Sequence, residues 1–384
     1  MVCNTLTPYR VHLHQLLARE IPELRLLTFV THATADFRWN FPVPDEIHVR
    51  SFVAGDEAAN GGPLVSPLAD WRKGKKLILA CVDQNVAAVV LTGYGYPSHL
   101  RLLRWLASHK VPSFLRNDVN IHVEATRTPL RRAIKLAFFR WALPRVNGVM
   151  PMGTFGRQYF AKYGANESRM YYVPYTPDYE WFAGAPESEL AEFRARRRLE
   201  RCARWLLYSG RLHPVKRVDL VIDAFAAIAA DRPEWGLLIA GAGPLEQELR
   251  RGVPAALEDR VEWTGFLEME QLRLAYHAVD ALALPSMHEP WAVVVQEALA
   301  AGLPVVASNV VGAARDLVED GVSGRIVAAG SLSELTAALA DVTDPQRIET
   351  YQKAAPRALA EWRQRVDVVA EVRRALRDAG CLDR

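Results

Sequence analysis

The chain of 384 residues is half apolar and 24% charged, which excludes a disordered chain and makes two globular domains of roughly 150–200 residues the natural reading. A formal net charge of +3, from 47 Lys and Arg against 44 Asp and Glu, is too mild to identify an acidic partner. No long basic block marks a nucleic-acid-binding tail.

The amino terminus, MVCNTLTPYR, lacks the apolar core of a signal peptide. Only MVC precedes the turn-like NTLTPYR, so the strand that opens a doubly wound domain is either very short or begins before the first residue. Short apolar runs then alternate with helix-sized segments. The first half offers the candidate strands LRLLTFV, IHVRSFV, KLILAC, AAVVLTG, VPSFLRN and NGVMPM; the second offers RWLLYSG, WGLLIAG, RVEWTG, DALALP, LPVVAS and GRIVA. This alternation predicts βαβ units, and about twelve strands exceed one comfortable open sheet. Between the AAVVLTG and NGVMPM runs, HLRLLRWLASHK and RTPLRRAIKLAFFRWALPR (127–145) mix basic and aromatic residues. Such a helix suits peripheral contact with an anionic membrane, or is an amphipathic domain helix with a solvated basic face.

The charged stretch at 180–201 reads as a linker running into a surface helix. The expected organisation is an N-terminal Rossmann-like domain over 1–180, a linker over 181–200, a C-terminal Rossmann-like domain over 201–350, and terminal helices over 351–384 that return across the junction near Trp362. Cys3, Cys81, Cys202 and Cys381 share no CxxC or metal-ligand spacing. They read as reduced thiols of a cytoplasmic protein. No apolar run reaches the ~18–20 residues that span a bilayer.

Ligands of open α/β sheets bind beyond the carboxyl ends of strands, and four such ends carry chemistry. After RWLLYSG, Gly210 allows close backbone approach, and Arg211 and Lys216 suit a diphosphate or form a solvated basic loop. After WGLLIAG, Gly241 and Gly243 mimic a dinucleotide fingerprint, but Glu246 occupies the third glycine position, which makes a tight turn the better reading. Gly265 and Phe266 close RVEWTG, where backbone groups address a nucleobase or simply make a βα turn. The fourth end is PSMHEPWAVVVQEALAAG. Pro290 suits the first helical position, leaving the N–H groups of Trp291, Ala292 and Val293 near Glu289 as a phosphate site. Glu297, in an otherwise apolar helix, would lie about 12 Å along the axis. That spacing suits Glu289 on a hexose and Glu297 on a ribose; a local backbone or Arg partner for a buried Glu297 is the alternative.

SMHEPWAVVVQEALAAGLPVVASNVVGAARDLVEDGVSGRIV resembles the E-x7-E region of retaining GT-B glycosyltransferases of family 4, and the YSGRL…K, AGAGP and WTGF segments precede it in the family's order. The resemblance implies a GT-B fold of two Rossmann-like domains facing each other across a cleft. It implies a transferase that moves a sugar from a nucleotide-sugar to an acceptor hydroxyl of a glycan, lipid or small molecule, with the donor on the C-terminal side. Arg211 and Lys216 would hold the diphosphate, Glu289 the transferred sugar and Glu297 the ribose. Ala292 stands where the family often has Gly. In the first domain, Asn117 precedes Asp118 where members often carry a His-Asp pair, and His122 is a candidate substitute. No two aspartates stand two apart, so no DxD motif offers a metal-diphosphate site, and neither metal nor cofactor is expected. A nucleotide-sugar epimerase or hydrolase, or a catalytically silent sugar-nucleotide-binding subunit, is the rival reading.

Overall fold

The structure, a computed structural model, describes residues 1–32, 41–53, 66–122 and 128–383. The chain folds into two units, Met1–Pro177 with Val366–Arg384, and Asp178–Arg365. In chain order the first unit carries β1 (Val2–Cys3), α1 (Pro8–Glu20), β2 (Thr28–Val30), β3 (Val49–Ser51), α2 (Pro67–Asp83), β4 (Val89–Thr92), α3 (Pro97–Ser108), β5 (Ser113–Asn117), α4 (Pro129–Ala142), β6 (Gly148–Pro151) and α5 (Thr154–Lys162). The second carries α6 (Tyr179–Phe182), α7 (Glu187–Arg196), β7 (Arg204–Ser209), α8 (Val218–Ile228), β8 (Trp235–Ala240), α9 (Glu246–Gly252), β9 (Val261–Gly265), α10 (Met269–His277), β10 (Ala281–Leu284), α11 (Val293–Ala300), β11 (Val305–Ser308), α12 (Gly312–Leu317), β12 (Gly324–Val327), α13 (Leu332–Val342) and α14 (Ile348–Arg365). The last helix, α15 (Val368–Asp378), belongs again to the first unit.

Each unit is built on a parallel six-stranded sheet, ordered β3-β2-β1-β4-β5-β6 in the first and β12-β11-β10-β7-β8-β9 in the second. This is the α/β architecture expected of GT-B domains. The winding reverses between β1 and β4 in one sheet and between β7 and β10 in the other, and such reversals open the crevice in which ligands sit.

In the chain as given the opening strand has two residues, and Val2 pairs with both Phe29 of β2 and Leu91 of β4. KLILAC, expected as a strand, lies inside α2. Its buried positions Asp70, Lys73, Gly74, Leu77, Ala80 and Cys81 recur at three- and four-residue spacing, a helical period that a six-residue apolar window conceals. Ser66 caps this helix through Ala69 N–H, and Pro67 fills its first position.

Strand residues of unit 1 alternate between two cores, as both faces of a parallel sheet must be covered. Val89, Leu91, Leu115 and Val149 face a cluster with Leu77 of α2, Leu102 and Leu106 of α3, Phe139 of α4 and Phe160 of α5. Val90, Phe114 and Met150 face the other side, with Leu13 and Leu17 of α1 and Val372 and Leu376 of α15. Arg374 fixes α15 in place, donating to Met170 O at 2.8 Å and lying over the Tyr171 ring at 4.3 Å.

The unit boundary differs from the sequence expectation. The stretch read as a linker contains α7, which packs on α10 with Phe193 buried, and it clusters with unit 2 from Asp178 onward. Trp362 also stays in unit 2, its ring 6.1 Å from Trp291; the chain returns to unit 1 only after Arg365.

Candidate functional site

The strand ends singled out in the second half converge because β7 and β10 are neighbours, with Leu206 opposite Ala281 and Leu207 opposite Leu282. Beyond β7, Gly210 bonds to Ala240 O at 2.9 Å and Leu212 bonds to Ala242 O at 3.0 Å, so this loop lies along the loop that follows β8. The GxG pair is explained by that approach. A Cβ on Gly241 would stand 1.8 Å from Gly210 O, and one on Gly243 would stand 2.3 Å from Leu212 O. These glycines let two backbones touch, which is a packing need and no dinucleotide signature. Phe266, half-buried, follows β9 on the next loop, which meets the second through Gly241 N–H to Gly265 O at 2.9 Å.

Met287 N–H donates to Val215 O at 2.8 Å, tying the loop after β10 to the loop after β7. The tie sets the Lys216 ammonium against Glu289 in a close, largely buried ion pair. Tyr208, buried in β7, donates its hydroxyl to Arg211 O at 2.9 Å. Burial first, and then the nearby Glu289 carboxylate, raise its hydroxyl far above the ordinary phenol range, while Arg211 opposes. Tyr208 had no motif to betray it; its role follows from sitting beneath Arg211 and Glu289.

The segment after Glu289 departs from the helical reading. Pro290 is not helical: α11 begins at Val293, and Ala292 is its N-cap with φ 78 and ψ 82. The segment 289–291 is instead held by α12, with Gly312 N–H on Glu289 O at 3.2 Å and Ala313 N–H on Trp291 O at 2.7 Å. Since residues 289–292 lie outside the helix, the helical rise does not measure the spacing of Glu289 from Glu297. Trp291 is 2% exposed and its indole donates to Gln296 Oε1 at 2.8 Å, so it faces the core and offers a ligand its backbone alone. Ala292 and Val293 remain half-buried at the helix mouth, where first-turn N–H groups have no intrahelical acceptor.

Glu297 is 5% exposed, and Tyr276 donates to its Oε2 at 2.8 Å. The sequence alternative named a local backbone or Arg partner; the partner here is Tyr276 of α10. Burial pushes the Glu297 carboxyl up to about 7 against the opposing effect of that hydrogen bond.

In unit 1, Asn117 ends β5 and Asp118 follows it. Tyr175 donates to Asp118 Oδ2 at 3.4 Å and receives Arg10 Nη2 at 2.9 Å; the Arg116 guanidinium lies 4.8 Å from the Tyr175 ring centre. Burial raises the Asp118 carboxyl, with Arg10 and then Arg116 opposing. His122 packs edge-on against Phe155 at 4.6 Å. A second polar cluster sits at the same sheet edge without any sequence signature. His32 stacks on Tyr96 at 3.9 Å and bonds Asp70 Oδ1 at 3.1 Å, and Ser98 N–H donates to Asp70 Oδ2 at 2.8 Å. Both ring nitrogens of His32 are engaged, the other by Thr31 Oγ1 at 2.8 Å. Among the described residues no group of three or more His, Cys, Asp or Glu side chains is arranged to hold a metal ion.

Residues 191–359 match the family model described as glycosyl transferases group 1. A D-inositol 3-phosphate glycosyltransferase of Thermobispora bispora is 34% identical over 206 residues, covering 50% of this chain and 47% of that protein. A lipopolysaccharide core biosynthesis mannosyltransferase of Rhizobium meliloti is 36% identical over 143 residues, covering 35% of this chain and 40% of that protein. The chain thus spans about half the length of these curated relatives or less. Among solved structures, HepE of Anabaena in complex with UDP and glucose matches with a TM-score of 0.73 at 18% identity, covering 99% of this chain and 98% of that one. A glycosyltransferase from Rickettsia africae matches at 0.74 and 12% identity, covering 98% and 96%. At such identities the likeness speaks for the fold, and it extends over both units.

Proposed function

We propose that this chain, whose residues 191–359 belong to the group 1 glycosyl transferases, transfers a sugar from a nucleotide-sugar to an acceptor hydroxyl, with retention at the anomeric carbon and without a metal ion. The observation that supports this reading is the meeting of Lys216 with Glu289, with Tyr208 between Arg211 and that carboxylate, beyond β7 and β10, where the winding of the sheet reverses. Charge that develops on a departing nucleoside diphosphate needs fixed positive partners. Arg211, Lys216 and the first turn of α11 supply them, the last through N–H groups and the helix dipole. Glu289 takes the hydroxyls of the transferred sugar, and its pairing with Lys216 keeps the carboxylate oriented beside the phosphates. Glu297 takes the ribose hydroxyls, Phe266 lies toward the base, and Asn117 and Asp118 serve the acceptor side. Retention is consistent with same-face attack assisted by a departing phosphate oxygen.

A uridine nucleotide is the first donor to test, because Anabaena HepE is solved with UDP and with UDP-glucose. A donor that binds only the folded state raises its melting temperature, so a panel of nucleotide-sugars ranks the candidates. Incubation with the best donor, with and without acceptors, then separates transfer from hydrolysis or epimerisation of the donor alone. Glu289→Gln is expected to lower kcat/KM by about 100-fold, in the range of a lost transition-state contact; unimpaired transfer by the folded variant removes the sugar-binding assignment. Activity is expected to persist in EDTA, and complete, metal-reversible loss overturns the metal-free mechanism.

A further inference from the structure

Helix α4 packs Phe138, Phe139, Trp141 and Ala142 on the core and carries a second apolar stripe on its outer side. A surface helix normally turns its apolar stripe to the core and its charges to water. In α4 the only buried residues are Phe139 and Ala142. At 3.6 residues per turn, Leu130, Ile134 and Ala137 form a separate stripe, about 160° round from Phe139, and it ends at Trp141, which packs back on the core. Leu130 is 70% exposed and Ile134 is 62% exposed, Ala133 and Ala137 are exposed, and Trp141 is half-buried. The inner side of the helix is meanwhile partly polar: Lys135 Nζ lies over the rings of Tyr159 and Tyr163, at 4.9 and 5.8 Å. Arg131, Arg132 and Arg140 are exposed around the helix, and no acidic residue occurs between Thr128 and Arg145. Arg127, the first residue of the basic segment, lies outside the described residues.

We infer that this outward face docks in the headgroup region of an anionic lipid bilayer, with Leu130 and Ile134 reaching the acyl boundary and the arginines engaging lipid phosphates. A preformed helix with an apolar stripe and basic flanks fits that environment. Thr128 Oγ1 accepts from Arg131 N–H at 3.5 Å, capping the first turn, and Phe138 stacks on Tyr94 at 5.0 Å, fixing the second half of the helix to the unit. The membrane is touched and not crossed: among the described residues no helix is long and apolar enough to span one. Charge argues for lipid over a second copy of this chain, since two such faces would bring like-charged arginines together without an acidic partner. The inference is independent of the sugar-transfer reading, because none of these residues belongs to the site beyond β7 and β10.

The test is co-sedimentation of the full chain with phosphatidylcholine vesicles, with and without phosphatidylglycerol. The wild-type protein is expected to bind the anionic vesicles at least tenfold more tightly than the neutral ones and to be released by high salt. Leu130→Asp with Ile134→Asp should weaken that binding at least tenfold. Arg131→Glu with Arg132→Glu should weaken it by roughly fivefold or more per arginine. Leu332→Asp, at an exposed position of unit 2, should leave it unchanged. Circular dichroism and the thermal shift given by the best nucleotide should match the wild type in all variants, which separates failed docking from failed folding or a failed donor site. Absence of binding to anionic vesicles, or equal binding by the Leu130/Ile134 variant, overturns the proposal. So does a concentration-dependent dimer that the same variant abolishes without any vesicle binding.

Discussion

Glu297 is an acid whose proton is easier to keep in the folded protein than in the unfolded chain, with a value near 7 against 4.5 for the free group. The proton therefore stabilises the fold fully below about pH 4.5, and that contribution disappears as pH rises through 7. Its size is at most about 3 kcal/mol. Relative to Glu297→Gln, the wild-type melting temperature should fall between pH 4.5 and 7; parallel profiles for the two proteins would show that the carboxyl is not held in its neutral form. If the carboxylate is what receives ribose hydroxyls, nucleotide affinity should rise over the same interval, as calorimetry can read. Ala292 presents the other residue-scale feature. Its φ of 78 is a conformation that costs a residue with a Cβ roughly 1 kcal/mol or more, and glycine little. Ala292→Gly should raise the melting temperature, whereas the β-branched Ala292→Val should lower it.

The loops beyond β7 and β8 are packed backbone to backbone, so the site depends on glycines that never touch a ligand. Gly241→Ala would drive a methyl into Gly210 O, 1.8 Å from an ideal Cβ. The variant should lose roughly 3 kcal/mol or more of stability, or move Arg211 and weaken nucleotide binding; urea unfolding together with nucleotide titration distinguishes these two outcomes from no effect, which would remove the packing role. Elements of this kind also mark the limits of sequence reading. Strands β2 to β12 each fall within a run read from the sequence, most plainly β8 and β11, which are buried along their whole length and so leave continuous apolar runs. KLILAC imitated such a run within the helical period of α2, and the start of α11 was misplaced because Pro290 suits a helix that tertiary contacts with α12 delay until Val293. Arg211, Lys216 and Glu289 stand out because each lies beyond a strand end, and Glu297 because it interrupts an apolar helix. Tyr276 and the His32–Asp70 pair carry no such mark, since their partners are distant in sequence and only the fold brings them together.

His99 and Glu297, buried in different units, respond to acid in opposite senses. His99 of unit 1 is held neutral by burial, its imidazole lowered to about 4 from 6.5. The unfolded chain binds that proton first, so this contribution, about 3 kcal/mol at most, is complete above pH 6.5 and is lost as pH falls through 4. Glu297 in unit 2 gains as His99 loses. Relative to a His99→Gln variant, acidification from pH 6.5 to 4.5 should therefore speed hydrogen exchange in α3, which carries His99; matching profiles for the two proteins would refute it. The division of the chain also bears on its birth. Unit 1 contains both the first residues and α15, with Asp178–Arg365 intervening. At ribosomal speeds of about 5–20 residues per second, α15 follows the rest of its unit by roughly 10–40 s. For that interval, while unit 2 is being made, Leu13, Leu17, Phe114 and Met150 lack the helix that covers them. The amino-terminal half should thus be the later to become protease-resistant on a translating ribosome, and the more dependent on chaperones while it waits.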